Sequence, residues 1–188
     1  MPESVPFSVR ASRLIAAIRL AFVPAAVAWA LALPLATFAA SRAHASAAGA
    51  TFVVTVYGIG SLICHQLPAR SYHLWAAQMP VCARCTGIYV GAAIGALAAI
   101  AASLTRRPTT NRAAVGHATY RAAVGHRLSG AKAPRAALIA AALPTLLTLL
   151  YEWTTGEMPS HAIRAAAGFP IGVVVAWLVV AAADNRVN

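Results

Sequence analysis

The stretch ICHQLPARSYHLWAAQMPVCARCTGIYVGAAIG, residues 63–95, decides how the rest of the chain is read. It carries all three cysteines of the sequence, Cys64, Cys82 and Cys85, together with His65 and His73. It ends in an apolar run with glycines at every fourth position, Gly87, Gly91 and Gly95. A second apolar run, Ala47–Ile63, leads into it. The stretch therefore reads as a polar hairpin at a membrane surface, where one apolar segment ends and the next begins. Cys64-His65 and the Cys82–Cys85 pair then meet at one depth.

Composition supports a membrane setting. A water-soluble chain carries roughly a quarter charged side chains. Here 10% are charged and 60% hydrophobic, with a mean hydropathy of +0.70. The fold class expected is an all-α, polytopic transmembrane helical bundle. A transmembrane barrel would need alternating strands of about ten residues, and the apolar runs here are continuous. A formal charge of +11 would point to nucleic acid in a soluble protein. In this chain the basic residues sit in the termini and connections, where they set orientation and meet anionic lipid, so nucleic acid is not an expected partner. Three cysteines do not make a disulfide framework, and the C-x-x-C pair needs its own account.

Outward from the hairpin, a basic leader (1–19) carries Arg10, Arg13 and Arg19, and about five apolar spans follow at 20–40, 47–63, 87–104, 136–153 and 165–183. Ala43-His44-Ala45 resembles a signal-peptidase site. The apolar run before it is longer than a signal core of about 7–15 residues, so a retained helix is expected. The loop 105–135 is basic throughout and repeats RAAVGH at 112–117 and 121–126, which reads as a local duplication. Its His117 and His126 read as solvated loop histidines. With five spans, the lysines and arginines of the loop favour a cytoplasmic loop and an outside hairpin, whereas the basic leader favours the opposite.

Within the hairpin, Tyr72, Trp75, Ala76 and Met79 fall at i, i+3, i+4 and i+7. That spacing predicts a short interfacial helix bounded by Pro68 and Pro80, with an irregular, aromatic-anchored loop as the alternative. Cys82 and Cys85 stand where the next helix begins. Free amide groups and the positive end of the helix dipole favour thiolate there, and Arg84 adds to the effect.

Thiolate is the form that binds metal and the form that attacks disulfides, so two chemistries follow. Cys64, His65, Cys82 and Cys85 make a tetrahedral Cys₃His set suited to zinc as a structural ion, with His73 as a substitute ligand because Cys64 and His65 are adjacent. Gln66, Arg70 and Arg84 are expected around these ligands as hydrogen-bonding or charge-balancing groups. The alternative is a membrane thiol–disulfide oxidoreductase using Cys82 and Cys85, for which no thioredoxin-like context exists. A third reading is a small-solute permease or complex subunit, in which the motif only holds helices together. Acids, bases and histidines are scarce within the spans, which argues against a pump. Glu152 and Arg164 lie at span ends and are expected to pair, with Glu157 as a rival.

Gly87, Gly91 and Gly95 form one small-residue stripe, and Gly168 and Gly172 form another. Such stripes let helices approach closely, either with each other or in a homo-oligomer or with a membrane partner.

The residues Cys64-His65-Gln66, Pro68, Arg70-Ser71, Pro80 through Tyr89 and Gly91 closely resemble a family of small prokaryotic membrane proteins, domain of unknown function two-zero-eight-five. A weaker likeness covers Pro144, Arg164, Gly168 and Gly172. That family often has an acid one turn after the proline, where this chain has Thr148. The resemblance implies a multi-pass protein of the cytoplasmic membrane of a prokaryote, and no particular activity or cofactor.

Overall fold

A computed structural model describes residues 7–42, 46–105 and 132–184. The first residues of the leader, Ala43-His44-Ala45 and most of the duplicated loop, with His117 and His126, lie outside the described residues. The expected apolar segments are helical: α1 (Phe7–Ala40), α2 (Ala47–Ile63), α3 (Ala83–Thr105), α4 (Lys132–Thr155) and α5 (His161–Asp184). Four of them, at Ala21–Ala40, Ala83–Leu104, Ala133–Thr155 and His161–Ala181, are long and apolar enough to cross a membrane. At 17 residues α2 is shorter. Helix α1 begins at Phe7 and so takes in residues 7–19 of the basic leader.

Exposure is distributed as lipid contact requires. Leu146, Leu147, Leu150 and Trp153 of α4 face outward, while Ala96, Ala176, Thr37, Ser71, Glu152 and Arg164 are buried. Lipid is as apolar as leucine, so close packing of small residues and satisfied polar groups hold such a bundle together.

The tightest helix pair is α3 with α5, which run parallel. A Cβ on Gly87, Gly91 or Gly95 would come within 3.0 Å of the backbone of Ala165, Phe169 or Val173. In return, Gly168 and Gly172 face the carbonyls of Arg84 and Ile88. The two glycine stripes therefore pack against each other within one chain. Helix α1 runs antiparallel to α3: Val23 packs with Ala96 and Ala99, and further along Trp29 meets Tyr89 edge to face at 6.0 Å. Helix α4 returns along α5, with Thr145 Oγ1 donating to the Ala167 carbonyl at 2.8 Å.

Between α2 and α3 the chain forms a 3₁₀ turn (Pro68–Arg70) and a two-stranded antiparallel hairpin, β1 (Ser71–Leu74) and β2 (Ala77–Cys82). This corrects the interfacial helix expected from Tyr72, Trp75, Ala76 and Met79. Trp75 and Ala76 adopt positive φ, 52° and 63°, and make a two-residue turn between the paired Leu74 and Ala77. Beyond His73↔Gln78 the register breaks before Ser71↔Cys82, where β2 carries Met79, Pro80 and Val81 against Tyr72 alone. Proline has no N–H to give a ladder, so an irregular stretch is where a strand tolerates it.

Helix α2 packs on this hairpin and on the C-terminal half of α1. Leu33, Ala36, Val56, Met79 and Val81 form the shared core, with Cys64, Cys85 and Tyr89 at its margin. One end of the bundle thus collects the C-terminus of α2, the base of the hairpin, the start of α3, the end of α4 and the start of α5.

Candidate metal centre and its arginine surround

Helix α2 stops because Cys64 is extended (φ −145°, ψ 138°) while its amide still bonds the Gly60 carbonyl at 2.9 Å. Gln66 then turns the chain at φ 48°. Its side-chain amide donates to the Tyr57 carbonyl at 2.9 Å and the Pro80 carbonyl at 2.7 Å, and the Gln66 backbone carbonyl accepts from Gln78 Nε2 at 2.6 Å. Tyr57 also donates its hydroxyl to the Gln78 carbonyl. Gln66 is therefore the peg that fastens the end of α2 to β2. Gly60 makes room for it, since a Cβ there would meet Pro80 and the Gln66 side chain.

This fastening brings Cys64 to the last residue of β2 and the first turn of α3. The sulfurs of Cys64, Cys82 and Cys85 all lie within 4.8 Å of one another, each half-buried, and all three are free thiols. The Cys82 amide donates to Cys64 Sγ at 3.2 Å. The hydrogen bond from Cys85 holds the Cys82 thiol well below the ordinary range, at about 5, although burial works the other way. A donated hydrogen bond stabilises the thiolate, which is the ligating form.

His65 and His73 are not in this sulfur group. His65 lines the cavity next to it, and His73 is paired with Gln78 in the hairpin. Adjacent side chains diverge, so Cys64 reaches the sulfur group while His65 lines the cavity beside it.

The main feature that sequence reasoning missed lies against the cysteines. Glu152, with its side chain 4% exposed, receives Arg84 Nη2 at 2.9 Å and has Arg164 Nε at 3.2 Å and Arg70 at 3.7 Å. The pairing of Glu152 with Arg164 was expected, whereas the two further arginines were not. Arg84 also donates to Thr148 Oγ1 at 3.1 Å. The position one turn after Pro144 is thus a hydroxyl, and the carboxylate arrives one turn later. Gly156 (φ 72°) ends α4 with its amide on the Glu152 carbonyl at 3.1 Å, which keeps Glu152 in the last turn. Arg164 sits in the first turn of α5, behind the Ser160 cap. Arg84 reaches both because α3 and α5 touch backbone to backbone at Gly168. The partners are 68 residues apart in the chain, so periodicity carries no trace of the contact.

No solved structure matches this chain. It is 50% identical over 42 residues to an uncharacterized protein of Methanocaldococcus jannaschii, covering 22% of this chain and 27% of the relative. It is 53% identical over 30 residues to an uncharacterized protein of Methanothermobacter thermautotrophicus, covering 16% and 27% respectively. The chain therefore spans about a quarter of the length of the curated relatives it matches, 27% in both. The model of the predicted membrane protein family DUF2085 matches residues 64–178, beginning at the first of the clustered cysteines and running through α5 beyond Arg164. The chain belongs to that family of predicted membrane proteins.

Proposed function

We propose that this protein is a multi-pass protein of a prokaryotic cytoplasmic membrane in which Cys64, Cys82 and Cys85 hold one thiophilic metal ion, with zinc the best fit. The observation that carries the reading is the convergence of three sulfurs from three separate elements within 4.8 Å. Tetrahedral zinc with bonds of ~2.3 Å puts its sulfurs ~3.8 Å apart, so a contraction of about 1 Å closes the set. Three thiolates leave one coordination position. His65, which lines the adjoining cavity, is the side chain nearest in sequence to fill it. The ion's role is to tie the end of α2 and the base of the hairpin to the start of α3, as structural zinc does.

A count of four candidate spans supports one orientation. The N-terminus of α1, the C-terminus of α3, the N-terminus of α4 and the C-terminus of α5 share the end opposite the sulfurs. The segments at that end contain every lysine and arginine except Arg42, Arg70, Arg84 and Arg164. Counted with four spans and α2 outside the count, the leader and the long loop belong to one side, which supports a single reading of the charges. The positive-inside rule then puts the basic end in the cytoplasm and the cysteines outside.

Metal analysis of the detergent-purified protein should give about one zinc per chain, lost in Cys82→Ser. His65→Ala should keep the metal but release it to a weaker chelator. A membrane-impermeant thiol reagent on intact cells should label the cysteines only after chelation. Metal-free protein whose alkylation pattern shifts with reductant would overturn the metal reading in favour of thiol–disulfide exchange. Labelling confined to inverted vesicles would overturn the orientation.

A further inference from the structure

The cavity beside the sulfurs has a volume of about 330 Å³, and its lining includes Arg70, Arg84 and Arg164 as well as the three cysteines. All three guanidiniums converge on Glu152. Among the described residues it is the one carboxylate within ion-pair distance of them. Two positive charges are therefore left uncompensated. Three thiolates around a divalent ion would bring one negative charge in total, which still leaves an excess of one. Solvent does little to screen the inner pair, since the side chains of Arg164 and Arg84 are 1% and 12% exposed, while Arg70 at 41% reaches the surface.

The donors are also incompletely used. Arg84 Nε is buried without a hydrogen-bond partner, and Arg164 Nε, although 3.2 Å from Glu152 Oε1, makes an ion pair and no aligned hydrogen bond. A buried guanidinium lacking a counter-charge is costly. Its planar fork of N–H groups matches the oxygens of a phosphate. The cavity has ample room for one phosphate group and the first atoms of an ester. It lies at one end of the candidate spans, which is the headgroup end of any helix that crosses a bilayer.

We propose that this cavity binds the phosphate group of an anionic ligand through Arg70, Arg84 and Arg164, with Glu152 as the carboxylate that holds the three guanidiniums in place. The source of the phosphate is either a soluble phosphate compound or a phospholipid headgroup. The proposal does not depend on the metal, because the charge excess is present with or without one.

The test is a titration of the detergent-purified full chain with inorganic phosphate by calorimetry, on metal-replete and on chelator-treated protein. A parallel arm places the protein in phosphatidylglycerol or phosphatidylcholine nanodiscs. Saturable phosphate binding, or a rise in melting temperature in phosphatidylglycerol over phosphatidylcholine, is expected. The first outcome identifies a soluble source and the second a headgroup. Arg70→Gln leaves the buried pair intact and should weaken the effect at least about tenfold, the loss of one charged hydrogen bond. Its metal content should be unchanged, so failure here is separable from failure of the metal reading. Arg84→Gln should abolish the effect. Absence of the effect in both arms, or its persistence in both arginine variants, would overturn the proposal.

Discussion

Replacing Glu152 by alanine removes the one carboxylate that, among the described residues, pairs with a buried group of arginines, and its cost can be worked from the burial. Arg164 is 1% exposed and Arg84 12%, so neither guanidinium can turn to bulk water without opening the α3–α4–α5 junction. Breaking a buried ion pair by removing one partner costs about 3–5 kcal/mol. That is a large share of a net stability of about 5–15 kcal/mol. For a chain of this size it corresponds to a fall in melting temperature of about 6–20 °C. The assay is the helical circular dichroism of detergent-solubilised protein during heating, supported by tryptophan fluorescence. Glu152→Gln keeps an acceptor for Arg84 and should fall in between. Glu152→Leu combined with Arg164→Met replaces charge by apolar volume. It should lose less than the two single variants together, by about 0.5–3 kcal/mol of coupling. A Glu152→Ala protein melting within about 2 °C of the parent, against the fall expected for a broken buried pair, would refute the reasoning. Strict additivity in the double variant would refute it as well.

Two further outcomes follow from backbone geometry. Gly91→Ala puts a methyl within 3.0 Å of the Phe169 backbone and should destabilise by about 1–3 kcal/mol. Gly58→Ala on α2 meets nothing within 4 Å and should be neutral or stabilising by up to about 1 kcal/mol, with both variants read by the same thermal melts. At the hairpin turn Ala76 holds φ 63°, so Ala76→Gly should add about 0.5–1 kcal/mol and Ala76→Val should subtract more. Amide exchange in β1 and β2 reports both changes, and an unprotected hairpin in the glycine variant would contradict the turn assignment.

The hairpin shows where pattern reading fails. Tyr72, Trp75, Ala76 and Met79 have helical spacing, yet they lie on two strands and the turn between them. Strand alternation is hidden because Met79, Pro80 and Val81 are buried in succession at the irregular register. The turn lacks the Asn-Gly signal that a two-residue connection favours. Sequence places Gln66 beside the ligands, whereas its position as a clamp between Tyr57 and Pro80 depends on where α2 and β2 meet.

The amino-acid sequence by itself determined the membrane class, the helical segments, the glycine stripes and the residues bearing sulfur. Each of these is a local property of hydropathy, spacing or residue type, legible along a line. Tertiary structure alone decided that α2 folds onto a hairpin, that the three sulfurs group together with His65 beside them in the cavity, and that Arg70 and Arg84 join Arg164 on Glu152. Those facts depend on the direction in which helices pack. In a chain rich in alanine and glycine many packings satisfy hydropathy equally, and the choice among them falls to backbone contacts and buried charge between residues far apart in sequence.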